Sequence, residues 1–205
     1  MNDQAKHLLV QKFGGTSLAD LRGFDASAEV IGQYTGDFKV IVVLSAVKGV
    51  TDLLLAAIDT SMEGEDGSRH LDEAIRRERA IIDDLAAEGV EAPRGSKYLR
   101  QQEGVLSRMV EGIRLLGQCP NETRARILAT GEGFSSRLMV DVLNARGFNA
   151  DWSDTDILPP ANDDWLDSLI DVDAAVPRAK KRFETDADVV VLPGFYGRNA
   201  DGKIQ

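Results

Sequence analysis

KFGGTS, from Lys12 to Ser17, is the stretch from which the organisation of this 205-residue sequence can be read. It follows an apolar run, HLLVQKF from His7 to Phe13, which predicts a short β-strand. We expect a helix just after the glycines, with Thr16 or Ser17 as its N-cap, because apolar residues then recur at helical spacing: Leu18, Leu21, Phe24, Ala28 and Ile31. The sequence therefore predicts a strand, a glycine turn and a helix.

A second unit of the same kind follows. Phe38 to Leu44 (FKVIVVL) has the continuous apolar character of a strand buried on both faces. A loop from Ser45 to Val50 then leads into a leucine-rich helix. This alternation predicts an α/β fold with a mainly parallel sheet.

The remaining segments continue the alternation. Two charged, amphipathic segments, 70–87 and 97–116, predict antiparallel helices packed on the flank of the sheet. Residues 121–146 predict a helix interrupted by Gly131 and Gly133. Further predictions are a strand over 148–153, a helix over 172–183, a strand over 188–192 and a hairpin-type turn over 199–202.

Composition excludes several classes of function. Lys and Arg number 24 against 34 Asp and Glu, so the net charge is −10 and binding to nucleic acid or to an anionic membrane is not expected. A single cysteine, Cys119, excludes an internal disulfide, and two histidines cannot form a three-histidine zinc site. The polar start over residues 1–6 and the absence of a run of roughly 20 apolar residues predict a cytoplasmic protein.

The KFGGTS turn is the strongest candidate for a binding site. Two glycines allow a phosphate to approach the backbone, whose N–H groups at a helix start favour anionic oxygens. Lys12 adds a positive charge at the carboxyl end of its strand, where open α/β sheets bind ligands. The alternative is a tight turn with a solvated lysine. The Walker A pattern is absent from the sequence.

KFGGTS at the N-terminus resembles the corresponding segment of the aspartate kinases in the amino acid kinase family. Three further segments resemble that family in the same order along the chain: Ser45 to Thr51, Thr130-Gly131-Glu132, and Gly194-Phe195-Tyr196-Gly197. The resemblance implies a carbamate kinase-like, three-layer α/β/α sandwich. It also implies ATP-dependent phosphorylation of the β-carboxylate of L-aspartate, with Mg²⁺ accompanying ATP, as the first step of lysine, threonine and methionine biosynthesis.

The same resemblance implies roles for individual residues. Lys12 contacts the transferring phosphate and is the catalytic candidate, while Gly14, Gly15, Thr16 and Ser17 complete the phosphate-binding turn. Ser45, Thr51 and Phe195 belong to the substrate-binding segments, and Glu132 is the partner expected for the α-ammonium group of aspartate. No residue is assigned to a protein-bound metal ion.

Each role has a structural alternative. Ser45 could end its strand, Thr51 could be an N-cap, Glu132 could interact with a helix dipole, and Phe195 could belong to the core. Asp52 stands where the family often has asparagine, and Lys48 is interpreted as solvated surface.

The family also continues beyond the segments found here, into a Gly-Arg-x-Gly-Ser-Asp stretch and a nucleotide-binding portion. We therefore expect residues 1–205 to be the N-terminal, amino-acid-substrate portion of a kinase domain that is incomplete at its C-terminus, without appreciable turnover by itself. The resemblance implies a homo-oligomeric parent, either monofunctional or fused to homoserine dehydrogenase.

Three other interpretations stay open at this point. Gly131-x-Gly133-x-x-Ser136 with Asp151, 20 residues beyond Gly131, imitates the spacing of a dinucleotide-binding fold, although the third glycine is missing. The chain could instead be a non-catalytic folding or oligomerisation unit. It could also be an amino acid kinase for a different substrate, such as glutamate, acetylglutamate, carbamate or UMP.

Overall fold

The computed structural model describes residues 6–205 and shows an α/β fold around a four-stranded sheet. The strands are β1 (His7–Phe13), β2 (Phe38–Leu44), β3 (Ala150–Trp152) and β4 (Val189–Pro193). They lie in the order β1-β2-β4-β3, and each neighbouring pair is parallel. The predicted parallel sheet is confirmed, with β3 shorter than expected. Of the polar start, residues 1–5 lie outside the described part of the chain.

Among residues 6–205, six α-helices accompany the strands. They are α1 (Leu21–Gly32), α2 (Val50–Met62), α3 (Ser68–Ala87), α4 (Pro93–Leu116), α5 (Asn121–Ala145) and α6 (Val172–Phe183). The predicted bounds of α6 are confirmed, whereas α3 and α4 begin two and four residues earlier than expected.

The prediction that glycines interrupt α5 is wrong, because this helix is continuous from Asn121 to Ala145. Both glycines instead allow other parts of the chain to approach closely. A Cβ atom at Gly131 would lie 2.9 Å from the Cβ of Ala46, and one at Gly133 would overlap with the hydroxyl oxygen of Tyr98. The glycines therefore reflect packing on α5 rather than a break in it.

The predicted N-cap of the first helix is also wrong. Thr16 and Ser17 lie in a short 3-10 turn over Gly15–Leu18, before α1 begins. Asp20 caps α1 instead, and its carboxylate accepts a 2.9 Å hydrogen bond from the N–H of Gly23. The extra turn explains the error, because apolar Leu18 precedes the helix in which Leu21 is the first residue.

The sheet is covered on both faces, as a three-layer sandwich requires. On one face, side chains of β2 and β4 pack in a single core with α1, α2 and α5. On the other face, Ile41, Val190 and Leu192 pack against Ala179 and Phe183 of α6. The predicted sandwich is confirmed.

The position expected for α3 and α4 needs a correction. These helices pack chiefly on each other and on α2 and α5, so they form an outer layer rather than lying directly on the sheet. Their charged faces are exposed, and their apolar faces join the main core.

The chain reverses direction near residue 200, as the sequence predicts. Arg198 and Ile204 form an isolated antiparallel bridge. Between them Gly202 has a φ of 75°, a left-handed conformation that suits glycine. In the part of the chain that the structure describes, no helix combines the length and the apolar character needed to cross a membrane.

Candidate functional site

Three loops meet at one edge of the sheet. Because β1, β2 and β4 are adjacent and parallel, their carboxyl ends lie side by side. The turn after β1 (Gly14–Ser17), the loop after β2 (Ser45–Gly49) and the loop after β4 (Gly194–Gly197) are therefore neighbours. Parallel α/β sheets bind ligands at this edge.

The glycine turn after β1 is packed tightly against the loop after β2. A Cβ atom at Gly15 would lie 2.9 Å from the carbonyl oxygen of Ala46, so only glycine fits without displacement of the backbone. At Gly14, a Cβ atom would lie 3.8 Å from the Nζ of Lys12. The exposed ammonium group of Lys12 thus lies close to the glycine turn, as a phosphate-binding site requires.

The loop after β2 is held from two sides. The N–H of Ser45 donates a 3.1 Å hydrogen bond to the carbonyl oxygen of Phe13, at the end of β1. The carbonyl oxygen of Ser45 accepts a 2.7 Å hydrogen bond from the hydroxyl group of Ser135 on α5. Gly131 of the same helix contacts Ala46. Helix α5 therefore fixes the position of this loop.

Glu132 of α5 joins the helix to the loop after β4. One carboxylate oxygen, Oε2, accepts hydrogen bonds of 2.9 Å from the N–H of Gly194 and 2.6 Å from the N–H of Phe195. The residue is 8% exposed. Burial raises the pKa of its carboxyl group to about 7, although the two N–H donors and the charge of Lys12 act in the opposite direction.

The charges at this edge have opposite signs. Lys12 presents an ammonium group, and Glu132 presents a carboxyl group close enough for Lys12 to lower its pKa. A buried carboxylate gains from a cationic partner, because the partner offsets the cost of desolvation. The edge can therefore hold a ligand that carries an anionic group near the glycine turn and an amine near Glu132.

The other predicted site residues lie at different distances from this pair. Thr16 and Ser17 are exposed on the 3-10 turn. Thr51 is exposed in the first turn of α2, and the alternative that it caps this helix is wrong, since the residue at the N-cap is Gly49, with a φ of 77°.

Phe195 takes part in the site through its backbone. Its N–H contacts Glu132, while the residue is 59% exposed, so the alternative that Phe195 belongs to the core is wrong. Its side chain lines a cavity of about 290 Å³ that the segment 165–170 closes on the other side.

Sequence reasoning missed Ser135, which positions Ser45, and the backbone of Gly194, which positions Glu132. Both act on residues far away along the chain, so no local pattern marks them. The sequence contained one usable indication, since Ser135 lies three residues beyond Glu132 in the same helix and thus on a neighbouring part of its surface.

The residues at this edge do not form a metal site of their own. Among residues 6–205, no group of three or more His, Cys, Asp or Glu side chains is placed to hold a metal ion. We therefore assign no protein ligand to the Mg²⁺ expected with ATP.

The dinucleotide-binding interpretation is wrong. It requires the glycines to open a helix directly after a strand, but Gly131 and Gly133 lie in the middle of α5. Asp151 is placed differently from a ribose-binding residue, since its carboxylate faces Arg182 of α6 at 3.5 Å.

Taken together, the fold and the site define an α/β protein in which a glycine turn, an exposed lysine and a buried glutamate meet at one edge of a parallel sheet. The sequence pattern of the amino acid kinase family matches residues 7–205, and the chain belongs to that family.

Similar proteins include several aspartokinases. The chain is 28% identical to a bifunctional aspartokinase/homoserine dehydrogenase of Buchnera aphidicola, over 94% of this chain and 24% of that protein. It is also 28% identical to lysine-sensitive aspartokinase 3 of Escherichia coli, over 96% of this chain and 42% of that protein.

Solved structures agree with the fold. The crystal structure of E. coli aspartokinase III in complex with aspartate and ADP has a TM-score of 0.77 at 25% identity and covers 98% of this chain. That of Clostridium acetobutylicum aspartate kinase has a TM-score of 0.71 at 20% identity, which supports the fold alone. The chain spans 43% and 41% of these two proteins, and less than half of each curated relative described above.

Proposed function

We propose that this chain is the N-terminal portion of an aspartate kinase catalytic domain, in which it binds L-aspartate and presents it for phosphorylation by ATP. Support comes from the family membership, from the aspartokinases among its relatives, and from the E. coli structure whose ligands are aspartate and ADP. We assign nucleotide binding to a further portion of the same catalytic domain, since the chain spans less than half the length of these relatives.

The proposed reaction is a phosphoryl transfer. An oxygen of the aspartate β-carboxylate forms a bond to the γ-phosphorus of ATP, the bond from that phosphorus to the bridging oxygen breaks, and ADP leaves with the electron pair. The products are 4-phospho-L-aspartate and ADP. A carboxylate is already ionised at neutral pH, so the reaction needs no general base, and catalysis rests on positioning and on neutralisation of charge.

The residues at the carboxyl ends of β1, β2 and β4, which together form the carboxyl edge of the sheet, suit this task. The ammonium group of Lys12 would neutralise the oxygens of the transferring phosphoryl group, and the N–H groups of Gly14 and Gly15 would bind phosphate oxygens. Thr16 and Ser17 would lie beside those oxygens. Glu132 would bind the α-ammonium group of aspartate, and Ser45, Thr51 and Phe195 would surround the substrate.

One observation carries the proposal. Lys12 and Glu132 are 120 residues apart in sequence, yet the fold brings Lys12 to the end of β1 and holds Glu132 at the end of β4 through the N–H groups of Gly194 and Phe195, at the same edge of the sheet. An amino acid with a side-chain carboxylate has the complementary arrangement of charges.

Calorimetry with L-aspartate tests the proposal on the 205-residue chain. Glu132→Gln removes the charge opposite the α-ammonium group, so we expect its affinity to fall at least about tenfold. Glu29→Gln, an exposed position on α1 that makes the same change of charge, is the control and should change the affinity little. Equal affinities of the wild-type chain and the Glu132→Gln variant would refute the assignment.

The same measurement reports on protons. Because the pKa of Glu132 is about 7, its carboxyl group is about half protonated at pH 7. An ammonium ligand favours the ionised form, so binding should release up to about half a proton per aspartate. Calorimetry in buffers of different ionisation enthalpy measures this number, and a value of zero would contradict the pairing of Glu132 with the amine.

The assignment as a portion of a domain has a separate test. We expect no appreciable turnover of ATP and aspartate by the 205-residue chain in a coupled ADP-release assay. Ordinary turnover would show that the chain is more than a portion of a catalytic domain. It would leave the assignment of aspartate as the substrate intact.

A further inference from the structure

Arg137, on α5, lies between two aromatic rings. Its guanidinium carbon is 3.7 Å from the ring centroid of Trp152 and 4.3 Å from that of Tyr98. Gly133, one turn earlier, makes this arrangement possible, because a side chain there would overlap with the hydroxyl group of Tyr98. The guanidinium carbon is therefore packed against two aromatic rings, and the hydrogen-bond donors of the group lie in its own plane.

The charge of Arg137 is only partly compensated. Its Nη1 donates a 2.7 Å hydrogen bond to the carbonyl oxygen of Gly133. No ion pair to Arg137 occurs among residues 6–205, although burial lowers the pKa of its guanidinium group. A desolvated cation of this kind gains from an anion in the plane of its free donors.

A cavity of about 330 Å³ adjoins Arg137 and is rich in positive charge. Arg198 and Lys203 line it but have carboxylate partners, Asp154 at 3.0 Å and Glu122 at 3.1 Å. Arg126 also lines it, is exposed and has no ion pair in the described part of the chain. Two cations thus remain uncompensated here, in a chain whose net charge is −10.

The phenol groups add neutral donors to the same cavity. Tyr98 and Tyr196 both line it, and burial raises the pKa of Tyr98 to about 12 and that of Tyr196 further still. Both hydroxyl groups therefore keep their protons at neutral pH and can donate to an oxygen atom.

We propose that this cavity, between α4, α5 and the turn near residue 200, binds a small organic carboxylate held in the plane of the Arg137 guanidinium group. A carboxylate is planar and fits a guanidinium edge through two parallel hydrogen bonds. A tetrahedral phosphate places some of its oxygens out of that plane, where the guanidinium group has no donors for them. The cavity adjoins the first site through Tyr196 of the loop after β4, but neither Lys12 nor Glu132 lines it.

Trp152 provides the assay, because it stacks directly on Arg137. The sequence contains two tryptophans, so the background Trp165→Phe leaves Trp152 as the single indole. Succinate is the carboxylate probe, since it lacks the amine required at Glu132, and inorganic phosphate at equal ionic strength is the comparison. We expect succinate to change the fluorescence of Trp152 with saturation, and phosphate to bind more weakly.

Two variants test the assignment to Arg137. Arg137→Gln should weaken succinate binding at least about thirtyfold, because it removes a charge-assisted pair. If loss of the stacking prevents folding, Arg126→Gln serves as the second variant, and it should weaken binding about two- to fivefold by removing an exposed charge.

Arg100→Gln, on the exposed surface of α4, is the matched control and should change nothing. The Lys12→Met background should leave succinate binding intact, which separates this cavity from the carboxyl edge. The proposal is refuted if succinate gives no saturable signal, if both arginine variants bind it as the wild-type chain does, or if phosphate binds more tightly than succinate.

Discussion

Replacing Glu132 with glutamine will stabilise the protein above pH 7 and have little effect near pH 4. The carboxyl group is 8% exposed, and burial raises its pKa from an ordinary value of 4.5 to about 7. Its folded-state pKa therefore exceeds its unfolded-state pKa. The contribution of the protonated group to stability is complete below pH 4.5 and is lost as the pH rises through about 7.

The size of the effect follows from this shift. About 2.5 pH units correspond to about 3 kcal/mol of unfolding free energy, which the ionised carboxylate costs the folded state well above pH 7. At pH 5 the same group costs about 1 kcal/mol or less. The glutamine amide oxygen can still accept hydrogen bonds from the N–H groups of Gly194 and Phe195, so the contacts of the loop should survive.

Urea unfolding at pH 5 and at pH 8.5 measures the difference. We expect the advantage of Glu132→Gln over the wild-type chain to grow by about 2 to 3 kcal/mol between these two conditions. Glu29→Gln, an exposed position on α1, changes the net charge by the same amount and should show no comparable growth. An advantage of equal size at both pH values would refute the link between burial of Glu132 and stability.

Four further changes test the packing of glycines, the burial of a carboxyl group and the capping of a helix. Gly131→Ala should destabilise the protein by about 1–3 kcal/mol in urea unfolding, because the new methyl group would lie 2.9 Å from the Cβ of Ala46. Gly112→Ala in α4, where no neighbour lies within 4 Å, should instead stabilise it by about 0.5–1 kcal/mol, and the same sign for both would contradict the packing of Gly131. Burial raises the pKa of Glu78, so Glu78→Gln should increase stability at pH 8 relative to pH 4, and an unchanged pH profile would contradict this. Asp20→Ala should lower the melting temperature by removing about 1 kcal/mol of capping, whereas an unchanged value would show that the cap contributes little.

The strands were predictable because their signal is local. The continuous apolar run from Phe38 to Leu44 and the valines near residue 190 need burial on both faces, which only a central parallel strand provides. The glycine turn after His7–Phe13 fixed the direction of the chain into the first helix. The parallel sheet followed from such runs, whereas the family and the three-layer sandwich followed from the resemblance of KFGGTS and three later segments.

Features that depend on contacts between distant residues were not predictable. Gly131 and Gly133 suggested a break in a helix, because a sequence does not show that Ala46 and Tyr98 occupy the space their missing side chains leave. Glu132 was found from the family resemblance, whereas its hydrogen bonds to the loop after β4 could not be read from any pattern. No pattern in the sequence singles out Arg137, because its setting depends on Tyr98 and Trp152, which only the fold brings to its guanidinium group.

Helix α5 has a consequence for how this protein can change over evolution or by engineering. Each residue added to or removed from a helix rotates everything beyond it by about 100° and shifts it by about 1.5 Å. A single insertion between Gly131 and Arg137 would leave the composition of α5 almost unchanged, yet Glu132 and Arg137 could no longer both face their present neighbours. Substitutions in this stretch can be accommodated one at a time, whereas its length cannot vary.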